Sequence, residues 1–157
     1  MKMIIFRVDD RLIHGQVVEG WIKNFHIPQV FIANNRVRDN AMQQMILQSV
    51  VPPRTAVSFF SLEELKSVWD TFSKRRQTLV LFESIFDLML CDSLINNNTY
   101  INIGCVASRE HSISLSDTVF LEPDEIKYLQ GLANRWEVHV KKLPWDRDAD
   151  ITGKFRQ

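Results

Sequence analysis

Near its N-terminus the chain reads Met3-Ile4-Ile5-Phe6-Arg7-Val8-Asp9-Asp10-Arg11-Leu12-Ile13-His14-Gly15-Gln16-Val17. The apolar run at the start of this stretch predicts a β-strand over Met3–Phe6. A dense polar cluster follows. Val17, Trp21 and Phe25 then recur at helical spacing, which predicts a helix over Gln16–Asn24. A strand, a polar loop and a helix in this order form the first half of a βαβ unit.

The same alternation continues along the chain. Six further runs have the length and composition of strands: Val30–Ala33, Thr55–Phe59, Thr78–Phe82, Tyr100–Ile103, Thr118–Leu121 and Glu137–Val140. Strands that alternate with helices predict right-handed crossovers and parallel pairing. The expected fold class is therefore α/β, with a mostly parallel central sheet of about seven strands flanked by helices.

The helices between these strands carry recognisable signals. Asp39–Val50 places Met42, Met45 and Ile46 on one face, as in an amphipathic helix. Ser61-Leu62-Glu63-Glu64 is a capping-box pattern that starts a helix ending near Phe72. Further helices are predicted over Ser84–Leu94 and after Glu122-Pro123, because proline suits the first turn.

A length of 157 residues predicts one domain, over 1–157. The last segment, Pro144–Gln157, is charged, and Trp145 is its one large apolar anchor. We therefore expect this segment to be a peripheral tail.

Composition excludes several classes of protein. The 19 Lys and Arg residues balance 19 Asp and Glu residues, which argues against a generically cationic nucleic-acid binder. Two cysteines, Cys91 and Cys105, are too few for a disulfide framework and predict reduced thiols. No apolar run reaches the roughly 20 residues of a membrane span, and none has the form of a secretory signal, so we expect a soluble, cytoplasmic protein.

The polar cluster after the first strand is the best candidate for a functional site, because open parallel sheets bind ligands beyond the carboxyl ends of their strands. Here the cluster leads directly into the predicted first helix. At a helix start, unpaired N–H groups and the macrodipole stabilise an anion. Ten residues bring together the candidates Arg7, Asp9, Asp10, Arg11, His14 and Gln16.

These residue types suit a histidine that is transiently phosphorylated. Gly15 lets a bulky anion approach the backbone, and Arg11 offers a planar fork of donors to phosphoryl oxygens. An aspartate, Asp9 or Asp10, would accept the second ring N–H of His14 and fix its tautomer. The plainer interpretation, in which His14 is a helix cap or an exposed residue and Asp9-Asp10 is a solvated turn, stays open at this point.

The run Arg7–Val17 resembles the signature of the IIB component of the mannose/fructose/sorbose family of sugar phosphotransferase systems. The similarity extends along nearly the whole chain. It includes Pro52-Pro53, Leu81-Phe82, Asn102-Ile103-Gly104 and Lys142-Leu143-Pro144.

This resemblance implies a cytoplasmic phosphocarrier, a protein-Nπ-phosphohistidine–sugar phosphotransferase with an α/β fold. His14 would take a phosphoryl group on Nδ1 from a phosphorylated IIA domain and pass it to a sugar delivered by the membrane subunits IIC and IID. Arg11, Asp9 and Asp10 would belong to the same active-site loop. Gly15, Gln16 and Arg7 are the phosphoryl-binding candidates, and Gln16 and Arg7 are the weaker ones. No cofactor, metal or nucleic acid is expected, and a homodimer is one of the open oligomeric states.

Two departures from the family pattern favour an alternative. Glu83-Ser84 follows the fourth strand where a small polar pair is expected, and a carboxylate there would repel a phosphoryl group if it pointed inward. Cys105-Val106 replaces an expected glycine and methionine. The alternative is a regulatory module that is phosphorylated but transfers nothing to a sugar.

Two other functions are disfavoured. A receiver domain needs an aspartate at the end of the third strand, and Val57-Ser58-Phe59-Phe60-Ser61 supplies none. A dinucleotide enzyme needs a G-x-G-x-x-G motif at the first helix, which the chain lacks.

The remaining notable residues have structural interpretations. His26 is expected at a helix end, His111 in a solvated loop, His139 on the outward face of a strand and Cys91 in the core. Cys105 is expected near the site, Lys74-Arg75-Arg76 is expected in a solvated loop, and Trp21, Trp69 and Trp136 are expected in packing contacts.

Overall fold

The computed structural model describes residues 3–72 and 76–151. Its strands are β1 (Ile4–Asp9), β2 (Gln29–Ala33), β3 (Ala56–Phe60), β4 (Thr78–Phe82), β5 (Thr99–Cys105), β6 (Ile113–Ser114), β7 (Phe120–Leu121) and β8 (Val138–Val140). Six of them form one sheet in the order β3-β2-β4-β1-β5-β8, and every pair in it is parallel. The chain is a single α/β domain, as the alternation of strands and helices predicts.

The helices cover both faces of this sheet. They are α1 (Gly15–Val17), α2 (Asn35–Arg38), α3 (Ala41–Ser49), α4 (Leu62–Phe72), α5 (Ile85–Leu90) and α6 (Pro123–Ala133). A π-helical segment, Val18–Lys23, continues directly from α1, and a 3₁₀ turn, Asp92–Leu94, follows α5.

The strand order places β1 in the interior of the sheet, between β4 and β5. The chain visits β2, β3 and β4 on one side of β1 before it crosses to β5 and β8 on the other side. The carboxyl end of β1 therefore lies at the switch point of the strand order, where folds of this class bind ligands.

The predicted strand Thr118–Leu121 does not join the main sheet, so that sheet has six strands and not seven. Within this run β7 pairs antiparallel with β6, a two-residue strand that the apolar pattern does not reveal. Val119 and Leu121 are buried in the core instead. The run is apolar because its side chains cover the core next to the end of β5. An apolar pattern in the sequence does not distinguish this packing from pairing in the main sheet.

Two apolar cores lie on the two faces of the sheet. The larger core packs α4, α5 and α6 against side chains such as Phe6 and Val80, and Phe6 makes edge contacts with Trp69 and Phe82. The second core packs α1 and the π-helical segment on the other face, around Ile5 and Trp21. Parallel strands buried on both faces explain the nearly continuous apolar composition of β4.

The helix predicted over Asp39–Val50 is wrong in its start and in its buried face. Asn40 caps α3 through the Gln43 N–H, so the helix begins at Ala41 after a break from α2. Met42, Met45 and Ile46 are exposed, with 73% of Met42 accessible, while Leu47 is buried.

The two capping signals of the sequence behave as expected. Glu64 N–H donates to Ser61 Oγ at 3.0 Å, and Ser61 N–H donates to Glu64 Oε1 at 3.1 Å. This reciprocal pair is a capping box at the start of α4. A second box, between Glu122 and Glu125, starts α6 at Pro123.

The segment that follows β8 is anchored, but by a different residue from the one the sequence suggests. Trp145 is 65% exposed, whereas Ile151 is 7% exposed and belongs to the larger core. Gln130 Nε2 also donates to the Ile151 carbonyl at 3.0 Å. The rest of the expected tail, residues 152–157, lies outside the described residues, as do Lys74 and Arg75 of the basic loop.

Across residues 3–72 and 76–151 the longest helices have 11 residues, and none has the length and apolar character that a membrane span requires.

Candidate functional site

The first strand extends three residues beyond the predicted Phe6, because Arg7 and Asp9 remain in the sheet as a buried ion pair. Both side chains are fully buried. Arg7 Nη2 lies 3.0 Å from Asp9 Oδ2, and Arg7 Nε donates to the same oxygen at 3.3 Å. A charged residue at this position does not end the strand, because its charge is paired inside the protein.

The Arg7 guanidinium is held on its other side by β5 and by the segment that follows β8. Its Nη1 donates to Asn102 Oδ1 at 2.5 Å and to the Lys142 carbonyl at 3.0 Å. Its Cζ lies 5.2 Å from the centre of the Trp21 ring, whose Nε1 donates to the same Lys142 carbonyl. Burial lowers the pKa of Arg7, and the Asp9 carboxylate opposes that shift.

Gly104 provides the space for this guanidinium. A Cβ added to Gly104 would overlap the Arg7 side chain. The glycine in Asn102-Ile103-Gly104 is therefore required by the close approach of Arg7.

Asp9 links Arg7 to His14. Its Oδ2 lies 2.8 Å from His14 Nε2, and its Oδ1 accepts the Arg11 N–H at 3.0 Å. Burial raises the pKa of Asp9, but the hydrogen bond from His14 and the Arg7 charge outweigh it, so the pKa lies below its ordinary value. An ionised carboxylate only accepts hydrogen bonds, so His14 Nε2 carries the proton of this contact.

The loop between Asp9 and His14 turns the chain back over the strand. Leu12 N–H donates to the Asp9 carbonyl, and Leu12 has a φ of 57°, a left-handed conformation that costs a bulky residue roughly 1–3 kcal/mol. Burial of Leu12 and Ile13 in the second core offsets this cost. The turn at Leu12 thus brings the His14 side chain back to Asp9.

His14 occupies the N-cap position of α1, but its ring does not cap the helix. The ring is turned toward Asp9, and its side chain is 13% exposed. Within residues 3–72 and 76–151, no group forms a hydrogen bond to His14 Nδ1. Space beside Gly15 is open, since an added Cβ would meet no heavy atom within 4 Å. The plainer interpretation of His14 as a cap or solvated residue does not fit this geometry.

The remaining predicted site residues have distinct places. Asp10 accepts the Ala107 N–H through its Oδ2 at 2.6 Å, which ties the loop to the chain after β5. Arg11 is exposed, and its guanidinium lies close enough to Cys105 to oppose the rise in the pKa of that thiol. Gln16 is half-buried, with an amide oxygen that has no hydrogen-bond partner among the described residues. Of the two aspartates, Asp9 is the one that the structure brings to His14.

Cys105 lies next to the imidazole, as the sequence suggests. Its sulfur, Asp9 and His14 each offer one ligand atom, and these three atoms lie within 4.8 Å of one another. Burial raises the pKa of the Cys105 thiol, and the Asp9 charge adds to that effect. The sequence predicts no metal set because Cys105 is 91 residues away from His14 in the chain.

Glu83 is directed to a different partner. Arg36 Nη2 donates to both of its carboxylate oxygens, at 2.9 and 2.8 Å, and Asn34 Nδ2 donates at 2.5 Å. The charge that the sequence places near the site is therefore balanced by an arginine in α2, the short helix that follows β2.

The other histidines lie apart from this cluster. His26 follows the π-helical segment with a φ of 51°, and His111 is an exposed loop residue. His139 is not on an outward face: its ring stacks on Tyr100 at 4.2 Å, and its Nδ1 lies 3.0 Å from Asp148 Oδ2. Cys91 is in the core, as predicted.

Sequence reasoning missed the groups that hold Arg7. Asn102 and the Lys142 carbonyl lie 95 and 135 residues from Arg7 in the chain, and their contacts depend on the strand order. Trp21 is close in sequence, but its helical spacing predicts only packing and not a contact with a buried arginine. The signal that could have found them is the pairing of an arginine in β1 with an asparagine at the same register position of β5.

Comparison with known proteins identifies the family of this chain. The model of the PTS system sorbose subfamily IIB component matches residues 3–157. The chain belongs to this family. It is thus a sorbose-type IIB component of a phosphotransferase system (PTS), a transferase system of sugar transport, as its resemblance implies.

Two relatives and one solved structure illustrate the similarity of this IIB chain to known proteins. It is 24% identical over 159 residues to the PTS system fructose-specific EIIB component of Bacillus subtilis, covering 99% of this chain and 97% of that one. It is 29% identical to the PTS system sorbose-specific EIIB component of Klebsiella pneumoniae over 133 residues, covering 84% and 81%. The crystal structure of manxB from Thermoanaerobacter tengcongensis superposes over 100% of both chains, with a TM-score of 0.84 and 26% identity.

Proposed function

We propose that this IIB chain accepts a phosphoryl group on Nδ1 of His14 from a phosphorylated IIA domain and donates it to a sugar presented by IIC and IID. It would do so in the cytoplasm, at the inner face of the membrane. Membership in the sorbose-type IIB family supports the reaction class. One observation supports the choice of atom: Asp9 Oδ2 lies 2.8 Å from His14 Nε2, and Nδ1 is left without a partner in the described part of the chain.

The neutral imidazole has one N–H and one lone pair. Because the Asp9 carboxylate holds the proton on Nε2, the lone pair resides on Nδ1. In the first step Nδ1 bonds to phosphorus while the P–N bond of the donor histidine breaks. In the second step a sugar hydroxyl oxygen bonds to phosphorus, the P–Nδ1 bond breaks, and the hydroxyl proton is released. A covalent intermediate divides the transfer in two.

Charge around the loop would stabilise the phosphoryl group in both steps. Arg11 is exposed beside Cys105, and its guanidinium suits the equatorial phosphoryl oxygens. The open space at Gly15 admits the group, and the Gln16 amide would contribute a weaker contact. Arg7 is fully buried, so we assign it the role of positioning Asp9 and not of touching phosphate.

Incubation with phosphorylated IIA tests the acceptor. We expect one acid-labile phosphoryl group per chain, with a ³¹P chemical shift of Nδ1-phosphohistidine, and none in His14→Ala. His111→Ala, which alters an exposed histidine outside the cluster, should be phosphorylated like the wild type. An adduct on His14→Ala, or a phosphoryl group on Nε2, would refute the proposal.

Substitution of Arg11 tests its proposed role as a clamp, a group that holds the phosphoryl oxygens during transfer. Arg11→Ala should slow phosphorylation by about 100-fold, on the scale seen when one charge-stabilising donor is removed from a transition state. Arg11→Lys should recover only part of that loss, because it keeps the charge but not the planar fork. Equal rates for the wild type and Arg11→Ala would rule out a clamp.

The regulatory alternative, phosphorylation without sugar transfer, loses part of its support. Glu83 is paired with Arg36 and Asn34, so it does not present an unbalanced charge. Sugar phosphorylation by the phosphorylated chain, in membranes that contain IIC and IID, would exclude this alternative. Transfer to no sugar would favour it.

A further inference from the structure

We infer that Asp9, His14 and Cys105 form a site for a divalent zinc ion, and that zinc bound there blocks phosphorylation of His14. The three ligand atoms lie within 4.8 Å of one another. A carboxylate oxygen, an imidazole nitrogen and a thiolate sulfur are the ligand types that zinc prefers. The blocking effect rests on the proposed function; the metal site itself does not.

The dimensions of the cluster suit a small ion. Zinc bonds of about 2.0–2.3 Å place tetrahedral ligand atoms roughly 3.3–3.5 Å apart. Side-chain adjustments of about 1 Å therefore convert the present arrangement into three ligands of one ion.

The positions of the ligands are already fixed by the protein. Asp9 is held by the Arg7 guanidinium and the Arg11 N–H, and Cys105 ends β5 with its backbone carbonyl bound to the Asp10 N–H. Groups of this kind orient the ligands of a metal before it binds. Cys105 itself is 7% exposed, so the sulfur faces the cluster from a confined position.

Charge at the site limits the affinity. Two anionic ligands balance the charge of the ion, but Arg7 already takes part of the Asp9 charge and Arg11 lies beside the sulfur. We therefore expect reversible binding that depends on the free zinc concentration, in contrast to the permanent occupancy of a structural zinc site.

Zinc binding and phosphorylation exclude each other through the imidazole proton. Without metal, Asp9 holds the proton on Nε2 and Nδ1 keeps its lone pair. When zinc takes the Nε2 lone pair, the imidazole proton moves to Nδ1 and the Cys105 thiol releases one proton to solvent. Nδ1 then has no lone pair with which to attack phosphorus.

Cobalt(II) provides a direct probe of the ligands, because a thiolate bound to Co²⁺ gives an intense near-ultraviolet absorption. The unphosphorylated wild-type chain should bind one Co²⁺ with this absorption, and Zn²⁺ should displace it. Cys105→Ser should lose the absorption and bind Zn²⁺ at least about tenfold more weakly. Cys91→Ala, which removes the other thiol, should keep both.

Phosphorylation by phosphorylated IIA is then measured with increasing Zn²⁺. The wild type and Cys91→Ala should lose phosphorylation as the site fills, while Cys105→Ser should need at least about tenfold more Zn²⁺ for the same loss. Chelation should restore the rate. Absence of the Co²⁺ absorption, its persistence in Cys105→Ser, or equal zinc sensitivity of the two cysteine variants would overturn the inference. Metal binding as described, by a chain that is never phosphorylated, would refute the proposed function and leave the site intact.

Discussion

At the scale of single residues, Gly104 decides whether Arg7 fits. A methyl group at Gly104 overlaps the guanidinium, whereas a Cβ added to Gly131, on an exposed turn of α6, meets nothing within 4 Å. Gly104→Ala should lower the free energy of unfolding by about 3 kcal/mol, because the buried pair with Asp9 is disturbed. Gly131→Ala should raise it by up to about 1 kcal/mol, because alanine favours a helix.

Urea denaturation measures both changes. The same experiment on the two variants separates the effect of Arg7 from the general effect of adding a methyl group. A Gly104→Ala protein as stable as Gly131→Ala would mean that Arg7 does not depend on this space.

Asp9 makes stability depend on pH in a definite direction. Its pKa in the folded chain lies below its ordinary value of 3.8, because the His14 hydrogen bond and the Arg7 charge outweigh the effect of burial. Its contribution to stability is therefore complete above pH 3.8 and is lost as the pH falls through the folded-state pKa. Asp9→Asn should cost about 3 kcal/mol at pH 7, since it leaves Arg7 buried without its partner charge.

The difference between wild type and Asp9→Asn should shrink as the pH is lowered below 3.8. Urea denaturation at a series of pH values measures it, with Asp70→Asn, at an exposed position of α4, as the control. A difference that stays constant down to pH 2 would contradict the role of the Asp9 charge.

At the scale of elements, α3 shows why an amphipathic pattern does not always mark a buried face. Gln44 is turned inward, and its Nε2 donates to the Val37 and Arg38 carbonyls at the end of α2. An amide therefore occupies part of the inner face, and the apolar stripe of Met42, Met45 and Ile46 is turned to solvent. The spacing predicts which residues share a face, but not which way that face is directed.

The exposed methionines and the buried leucine of α3 should differ in their effect on stability, although these side chains are similar in size. The double variant Met42→Gln and Met45→Gln should change the free energy of unfolding by less than about 0.5 kcal/mol per residue, as expected for exposed positions. Leu47→Ala should cost about 2–4 kcal/mol, because it leaves a cavity in the second core. Thermal denaturation monitored by circular dichroism distinguishes the two; a large loss in the methionine variant would show that this stripe is buried in solution.

Other elements were predictable to different degrees. The capping box at Ser61 predicts the start of α4 because both of its hydrogen bonds are local. The end of β1 was misplaced because Arg7 and Asp9 are satisfied by each other and by Asn102, a contact between distant parts of the chain. The π-helical segment was also missed: Val17, Trp21 and Phe25 at four-residue steps suit an α-helix as well as its wider form.

The candidate site divides in the same way. The contacts of Asp9 with His14 and with the Arg11 N–H arise within one local stretch. The burial of Arg7, the contact of Asp10 with Ala107 and the approach of Cys105 depend on the order of strands in the sheet. Local spacing contains no information on that order.

At the scale of the whole molecule, the described part of the segment after β8 returns to the larger core at Ile151. Ile151 is buried in the larger core and Trp145 is exposed. Ile151→Ala should cost about 2–4 kcal/mol, as expected when a buried isoleucine is truncated. Trp145→Ala, the larger truncation, should change stability by less than about 0.5 kcal/mol.

Urea denaturation of these two variants checks the assignment. If Trp145→Ala proved to be the more destabilised protein, the anchor of the C-terminal segment would be the tryptophan after all.

The position of the Lys142 carbonyl has a consequence for the newly made protein. Arg7 completes its contacts only with a carbonyl that is 135 residues further along the chain. During translation the histidine loop leaves the ribosome long before β8 exists, so Asp9 cannot yet be held in place for His14. Under the proposed function, a chain that lacks β8 would therefore be a poor phosphoryl acceptor.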